Sequence, residues 1–502
     1  MILRVVTLVA AAAAAGHTSL AQVSGPPPLD LFFAAASADD RAARSAMDRL
    51  AVQWRDSYTA MIIDMARQLR PAPRAGSDGD VVPSPNRPGD PDDPDGGFPA
   101  DPFAGAPAPR VSRESLIRAR LLSFLERQTG RRFDPYLRGW REWMWTLPYE
   151  PHPDYGRFKG LVYARVDPRM QRFFPPGVKS LIRLDEIDWG GVTVNGIPPL
   201  YYPKTVAARD ARYLRDSHVV FGIVVGGEAR AYPKRILAWH EMAIDNLGGI
   251  ELTVVYCTLC GTVIPYESVV SGRRIGFGTS GLLYRSNKLM FDEETMSLWN
   301  TIEGTPVVGP LADRGLQLTS HPAVTTTWGE WRALHPTTTV LSLETGHQRD
   351  YGEGAAYRDY FAHDRLYFQV SKTDRRLKNK AEVLVMRLRP AAGGEAQPVA
   401  VSANFLKRTP VFHLEIAGRR LLIVTTRQGA NRVYALGQHA VAFPANASTD
   451  RLVDTAGRVW RIGEDALASA DGSVVLPRVV AHRAFWFGWF AQYPNTALIG
   501  DR

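Results

Sequence analysis

Ile250-Glu251-Leu252-Thr253-Val254-Val255-Tyr256-Cys257-Thr258-Leu259-Cys260-Gly261-Thr262-Val263-Ile264-Pro265-Tyr266 reads as a strand, a tight turn and a return strand. Its flanks are rich in β-branched and aromatic residues, and the turn carries the only two cysteines of the chain. Two thiols three positions apart commonly hold a metal or exchange electrons. Upstream, Glu241–Asn246 can pair with Ile250–Tyr256 around Gly248-Gly249, a dipeptide suited to a two-residue turn with positive φ. Leu247 then faces Ile250, and counting outward puts His240 directly across from Cys257. Residues so opposed have Cβ atoms about 5 Å apart on one sheet face. A slipped turn would move His240 opposite Val255 instead.

The residues after Cys260 discriminate between chemistries. A dithiol enzyme of the thioredoxin type opens a helix with its C-x-x-C pair, and the helix dipole lowers the first thiol's pKa. Gly261-Thr262-Val263-Ile264-Pro265 has no helical character. Strand, C-x-x-C-G and strand is the form of a metal-binding knuckle, in which the glycine lets main-chain N–H groups turn toward the sulfurs. Cys257, Cys260 and His240 are therefore the candidate metal ligands, one short of the usual four of a structural zinc site. A water, a substrate, or one of His218, His321, His363 and Met290 would complete the set. Thiolate with imidazole suits copper or zinc, and the sequence does not choose. Glu241 is a candidate proton acceptor or ligand-orienting group. A thiol–disulfide couple and a structural disulfide stay open beside the metal, although a bridge closing so small a loop gains little chain entropy.

Outward from this segment, Val219–Val225, Glu382–Leu388, Leu421–Thr425 and Val453–Arg461 read as further strands between Gly, Pro and Asn turns. Thr325–Thr327 offer caps for a short helix from Trp328. The body also echoes itself. Gly249-Ile250-Glu251-Leu252-Thr253-Val254-Val255 resembles Gly418-Arg419-Arg420-Leu421-Leu422-Ile423-Val424, and Trp299 and Trp460 follow in turn. A duplication would set Cys257 opposite Thr426 and Cys260 opposite Gly429; a chance likeness of two apolar hairpins is the alternative.

The first third differs. Leu50, Trp54, Tyr58, Met61, Met65 and Leu69 share one helical face within 36–70, as do Ile117, Leu121 and Leu125 after Ser112. Between them, 71–110 is crowded with Pro, Gly and Asp and cannot bury enough apolar surface to order itself. Arg4, the apolar run Val5–Ala15 and Ser19-Leu20-Ala21 form an export signal cleaved after Ala21. That run is too short to span a bilayer, and no other stretch is long enough. The expectation is a periplasmic or secreted protein without a membrane span in its mature chain. Its excess of 60 basic over 51 acidic residues is spread along the sequence, with no arm for nucleic acid.

Three further residues are candidates for holding a cofactor. Gly276-Phe277-Gly278-Thr279-Ser280-Gly281-Leu282-Leu283-Tyr284 is not a nucleophile elbow, because Leu282 stands where the motif needs Gly. It can present Ser280 or Tyr284 as a polar loop, or simply form a turn. Asp350, after Thr345-Gly346-His347, can orient a ligand histidine or sit in a surface turn. The cluster Phe485-Trp486-Phe487-Gly488-Trp489-Phe490 reads as core packing.

Ala231-Tyr232-Pro233, Trp239-His240-Glu241, Tyr256-Cys257-Thr258-Leu259-Cys260-Gly261, Ser280-Gly281-Leu282-Leu283-Tyr284, Ser297-Leu298-Trp299, Thr326-Thr327-Trp328 and Arg349-Asp350-Tyr351 occur in this order. Together they resemble the prokaryotic domain of unknown function 3179 (DUF3179) family, strongly over 215–365 and more weakly toward the C-terminus. Thr258 stands where the family commonly has Pro. The resemblance implies no activity.

The expected architecture is α+β, with a predominantly β body and an N-terminal helical region, HEAT-like or a small bundle. The body divides into 151–375, which carries the cysteines, and 376–502, a second β lobe; the helical region covers 22–150. The expected function is binding of one copper or zinc ion, with a thiol–disulfide oxidoreductase or a scaffold held by a disulfide as alternatives. The helical region is the candidate surface for a protein partner.

Overall fold

A computed structural model describes residues 25–69, 112–133, 137–270, 272–444 and 447–500. The export signal and the Pro/Gly/Asp-rich segment of the sequence reading lie outside these residues. Among the described residues, no helix is long and apolar enough to cross a membrane.

The N-terminal helices are Leu29–Ala35, Asp40–Val52, Thr59–Arg67, Arg113–Thr129, Arg138–Met144 and Tyr155–Tyr163. Asp39 caps the second through the main-chain N–H groups of Arg41 and Ala42, and Ser112 caps the fourth through that of Ser115. The apolar face running from Leu50 to Leu69 is not one helix. It breaks at Gln53–Arg55, where the Trp54 indole donates to Asp56 at 3.3 Å and a short 3-10 turn re-aims the chain. Helix also continues beyond 150, as Tyr155–Tyr163, into a stretch whose sequence reads as the start of the β body.

These helices do not stand apart. Phe32, Leu121, Trp140 and Phe158 share one core with Leu282, Leu289, Leu298 and Val308 of the sheet they cover. That sheet runs Ile187–Trp189, Phe277–Tyr284, Asn287–Asp292, Leu298–Asn300, Thr305–Val308. Two sets of buried opposite charges lie at this joint. Asp188 accepts from Arg141 at 2.8 Å and from Arg67, and Lys159 donates to Asp64 at 2.9 Å. Removing one partner of such a pair strands the other in an apolar setting.

The β body is two copies of one unit. In the first, the hairpin Val219–Val225 and Glu228–Pro233 leads into helix Lys234–His240, then strands Met242–Leu247, Ile250–Cys257 and Thr262–Glu267. Later come strand Val324–Thr327, helix Trp328–Leu334 and strand Thr339–Leu341. In the second, the hairpin Glu382–Leu388 and Gln397–Ser402 leads into helix Ala403–Arg408, then Val411–Ile416, Arg419–Thr425 and Asn431–Ala435. Strand His482–Phe485, helix Trp486–Gln492 and strand Ala497–Ile499 close it. In both, the late strand joins one side of the hairpin antiparallel and the last strand joins the other side parallel. Even the capping chemistry repeats: the Trp331 indole donates to Thr338 Oγ1 at 2.9 Å and the Trp489 indole to Thr496 Oγ1 at 2.8 Å.

The units clasp each other. Thr262–Glu267 of the first packs against His482–Phe485 of the second, and Asn431–Ala435 of the second against Val324–Thr327 of the first. These are the same contact made twice with the roles exchanged. The cysteine turn lies at this seam, where the Phe485 N–H donates to the Cys260 carbonyl at 2.7 Å.

Candidate functional site

The hairpin register is the one that the glycines dictate. Gly248 and Gly249 have φ of 58° and 79°, Leu247 pairs with Ile250, and pairing runs outward to Met242 with Val255. There the strand stops. Glu241 takes φ 54°, a region that non-glycine residues rarely enter, and ends the helix Lys234–His240. His240 is therefore the last residue of a helix and not the strand partner of Cys257. Its Nδ1 lies 2.9 Å from the Pro198 carbonyl and its Nε2 2.6 Å from the Tyr351 hydroxyl. Burial holds its pKa at about 4, against the partial compensation of the Pro198 contact. Both ring nitrogens are thus engaged away from the sulfurs.

Beyond Cys257 the chain makes a tight turn, with the Cys260 N–H donating to the Cys257 carbonyl at 3.1 Å and Gly261 at φ 63°. The second unit builds the same turn from Thr426 to Gly429, whose N–H donates to the Thr426 carbonyl at 2.9 Å. The scaffold therefore does not need the thiols. Both cysteines are free and buried. Burial alone would push the Cys257 thiol up, but hydrogen bonds from the Cys260 thiol and from the main-chain N–H of Lys288 bring it below the ordinary thiol value. Burial pushes Cys260 up, and its bond to Cys257 pushes it further. Cys260 Sγ also lies 3.4 Å from the Ser286 carbonyl. The first cysteine is the easier to ionise, and the second carries the proton.

An ion pair stands beside them. Lys288 Nζ lies 3.3 Å from Glu241 Oε2 and 3.2 Å from the Glu241 carbonyl, both side chains buried, and Tyr357 donates to Glu241 Oε1 at 2.8 Å. These contacts, with the Tyr256 N–H on the same carbonyl at 2.9 Å, hold Glu241 in its unusual backbone conformation. Tyr360 closes the far side by donating to the Leu259 carbonyl at 2.8 Å. Helix Trp486–Gln492 of the second unit lies over the turn, with Gly488 against the Cys260 sulfur.

Of the residues singled out from sequence, Cys257, Cys260 and Glu241 come together; the others do not join them. Ser280 is buried at a β-bulge and donates to the Leu289 carbonyl at 2.5 Å. Tyr284 packs into the N-terminal core, while its neighbour Leu283 packs on the cysteines. Asp350 forms a turn with its own Gly352 N–H at 2.7 Å, and its carbonyl holds the Trp239 indole. His321 contacts Glu267 at 2.9 Å, His218 meets Arg235 at 3.3 Å, and Met290 sits in a separate apolar cluster. Among the described residues, no group of three or more His, Cys, Asp and Glu side chains is placed to hold a metal ion. Lys288, Tyr357, Tyr360 and Gly488 escaped the sequence reading. Only Lys288 left a signal, as a basic residue beside the apolar run Leu289–Phe291 of the strand Asn287–Asp292.

A family model described as "Protein of unknown function (DUF3179)" matches residues 194–496. That stretch takes in the first β unit and the second up to its closing strand Ala497–Ile499, and leaves out the N-terminal helices. No curated protein and no solved structure gives a match.

Proposed function

The chain belongs to the DUF3179 family, and from that premise we propose that Cys257 and Cys260 form a two-electron dithiol–disulfide couple. The observation that carries this reading is the pair itself: two free thiols in one turn, hydrogen-bonded and held unequally, where the second unit builds the same turn with Thr426 and Gly429. A thiol held as thiolate is the nucleophile in exchange, and its neighbour resolves the product. The Cys257 thiolate attacks one sulfur of a disulfide R–S–S–R′, forming Cys257–S–S–R and releasing R′–S⁻, which takes up a proton. Cys260 then gives up its proton and attacks the Cys257 sulfur, expelling R–S⁻. The protein ends as the Cys257–Cys260 disulfide and the disulfide substrate as two thiols. The Glu241–Lys288 pair, electrostatically coupled to the sulfurs, is the group beside them that can take the proton. Burial under the second unit's helix restricts exchange to small disulfides or to partners that displace that helix. Export to an oxidising compartment, read from the first residues, belongs to the same proposal.

The knuckle turn favours a second reading, in which both thiolates hold a soft ion, copper or zinc. With His240 engaged elsewhere, a water or a bound small molecule would complete its coordination. One experiment separates the two. Full-length protein is equilibrated in glutathione redox buffers, its thiols are counted, and its metal content is measured. The couple predicts reversible loss of two thiols with a midpoint in the range of known exchangers, about −270 to −120 mV, abolished by Cys257→Ser or Cys260→Ser. Near-stoichiometric metal lost in Cys257→Ser would instead establish the ion. Thiols that neither oxidise nor bind metal would overturn both readings.

A further inference from the structure

A cleft of about 160 Å³ opens at the seam between the two units, its wall including Tyr256 and Gly261 on either side of the cysteine turn. Its charged lining is Lys234, Lys407, Arg483 and Glu382, three cations to one carboxylate. Arg483 donates to Glu382 at 2.5 Å. Among the described residues, the Lys234 and Lys407 ammonium groups have no hydrogen-bond acceptor, though Lys234 lies 4.2 Å over the Phe361 ring.

The duplication shows that the shared backbone forms without Lys234 and Lys407, whereas Arg483 also donates to Asn431 at 2.6 Å and to the Gly429 carbonyl. Val220 pairs with Pro233 and Val383 with Ser402, each pair ending just before a helix, so Val219 corresponds to Glu382 and Lys234 to Ala403. By the same register Lys407 corresponds to Ala238, and Arg483, which pairs with Leu384, corresponds to Thr325, which pairs with Phe221. At all four charged positions the other unit builds the same backbone with an uncharged residue. Val219, Phe221 and Phe485 give the cleft apolar wall, and the Thr325 and Thr327 strand edge adds hydroxyl-bearing residues.

We propose that this cleft binds a small oxyanion-bearing molecule, with its carboxylate or phosphate on Lys234 and Lys407 and its apolar part against Phe221 and Phe485. Two ammonium groups without protein acceptors supply the charge-assisted hydrogen bonds, and a partly enclosed cleft between units is where small ligands ordinarily bind. The available volume suits a molecule of a few heavy atoms. The inference goes beyond the thiol reading and does not need the cysteines to react.

The test is calorimetric titration of the full-length protein at low salt with inorganic phosphate in one series and with acetate, malonate and succinate in another, which distinguishes the two oxyanions. Saturable binding in either series is expected, weakened tenfold or more by Lys234→Gln and by Lys407→Gln and strengthened severalfold by Glu382→Gln. Ala403 and Ala238 at the corresponding positions indicate that the lysine variants fold, and circular dichroism checks it. No binding up to 10 mM, or affinity unchanged in both lysine variants, overturns the proposal. The Cys257→Ser/Cys260→Ser protein should bind the anion as the parent does, while the lysine variants keep their thiol titration. Either reading can thus fail while the other stands.

Discussion

Gly488 and Cys260 meet across the seam without room for a methyl group: a Cβ at 488 would stand 3.1 Å from the Cys260 Cβ and 3.2 Å from its sulfur. Glycine inside a helix costs about 1 kcal/mol relative to alanine, so its presence in Trp486–Gln492 answers to this contact. In the first unit the corresponding helix position is Glu330, whose carboxylate accepts from Thr426 Oγ1 at 3.0 Å where Cys257 would be. Gly488→Ala is expected to lose about 1–3 kcal/mol by overpacking and to regain about 1 kcal/mol of helix propensity. In a Cys260→Ala background the same change should be stabilising. Urea unfolding of the four proteins gives the coupling, and additive effects would show that the sulfur does not set residue 488.

Lys288 and Glu241 are a buried pair whose members depend on each other. Lys288→Met should cost about 3–5 kcal/mol, because it leaves a carboxylate in an apolar setting with the Tyr357 hydroxyl as its other partner. Adding Glu241→Gln removes the stranded charge, so the double variant should be more stable than Lys288→Met alone. A double variant whose loss equals the sum of the single losses would contradict the pairing. Thermal and urea unfolding at pH 7 provide the comparison.

The β body was open to reading wherever a local pattern decided the structure. Val219–Val225 and Glu382–Leu388 emerge as strands with the expected ends, since each is a β-branched run bounded by turn residues. Gly248-Gly249 set the hairpin register, and the Thr426–Gly429 turn copies the cysteine turn as the echo between the two hairpins implied. What the sequence hid lay across long separations or in one backbone angle. Counting along the hairpin assumes that the strand continues to His240, but Glu241 adopts a positive φ without being glycine, and contacts from Lys288, Tyr357 and the Tyr256 N–H hold it there. Gly488 reaches Cys260 from the other unit, which no periodicity near either residue announces. The helix Tyr155–Tyr163 was missed because it packs on a sheet, and its propensity is overridden by the core it shares with Leu282 and Leu289.

Two histidines contribute to the loss of stability in acid. His240 and His482 are both held by burial at about 4 in place of the ordinary 6.5. Below pH 6.5 the unfolded chain binds protons that the folded chain refuses, so stability falls as pH drops from 6.5 to 4 and is unaffected by these groups above that window. Each contributes a loss on the order of 3 kcal/mol across the window. His482→Phe should flatten the slope of unfolding free energy against pH between 6.5 and 4, whereas a slope unchanged by the substitution would mean that His482 titrates normally. The His482 Nε2 is buried without a hydrogen-bond partner among the described residues, so this variant strands no acceptor or donor.

The two Trp–Thr pairs of the duplicated units make a quantitative test of their equivalence. Thr338→Val and Thr496→Val each leave a buried indole N–H without its acceptor, a loss of about 1–3 kcal/mol. The two costs should not be identical. Thr338 Oγ1 also lies 3.1 Å from the Ala229 carbonyl, across to the strand beside it, whereas the second contact of Thr496 Oγ1 is to the adjoining Ala497 carbonyl at 3.4 Å. Thr338→Val should therefore be the more destabilising, since it withdraws a donor from a neighbouring strand as well as an acceptor from the indole. Chemical denaturation of the two variants decides it. A larger loss at Thr496 would place more of the stability in the second unit's sheet, and would mean that the helix over Cys260 is the better anchored of the two.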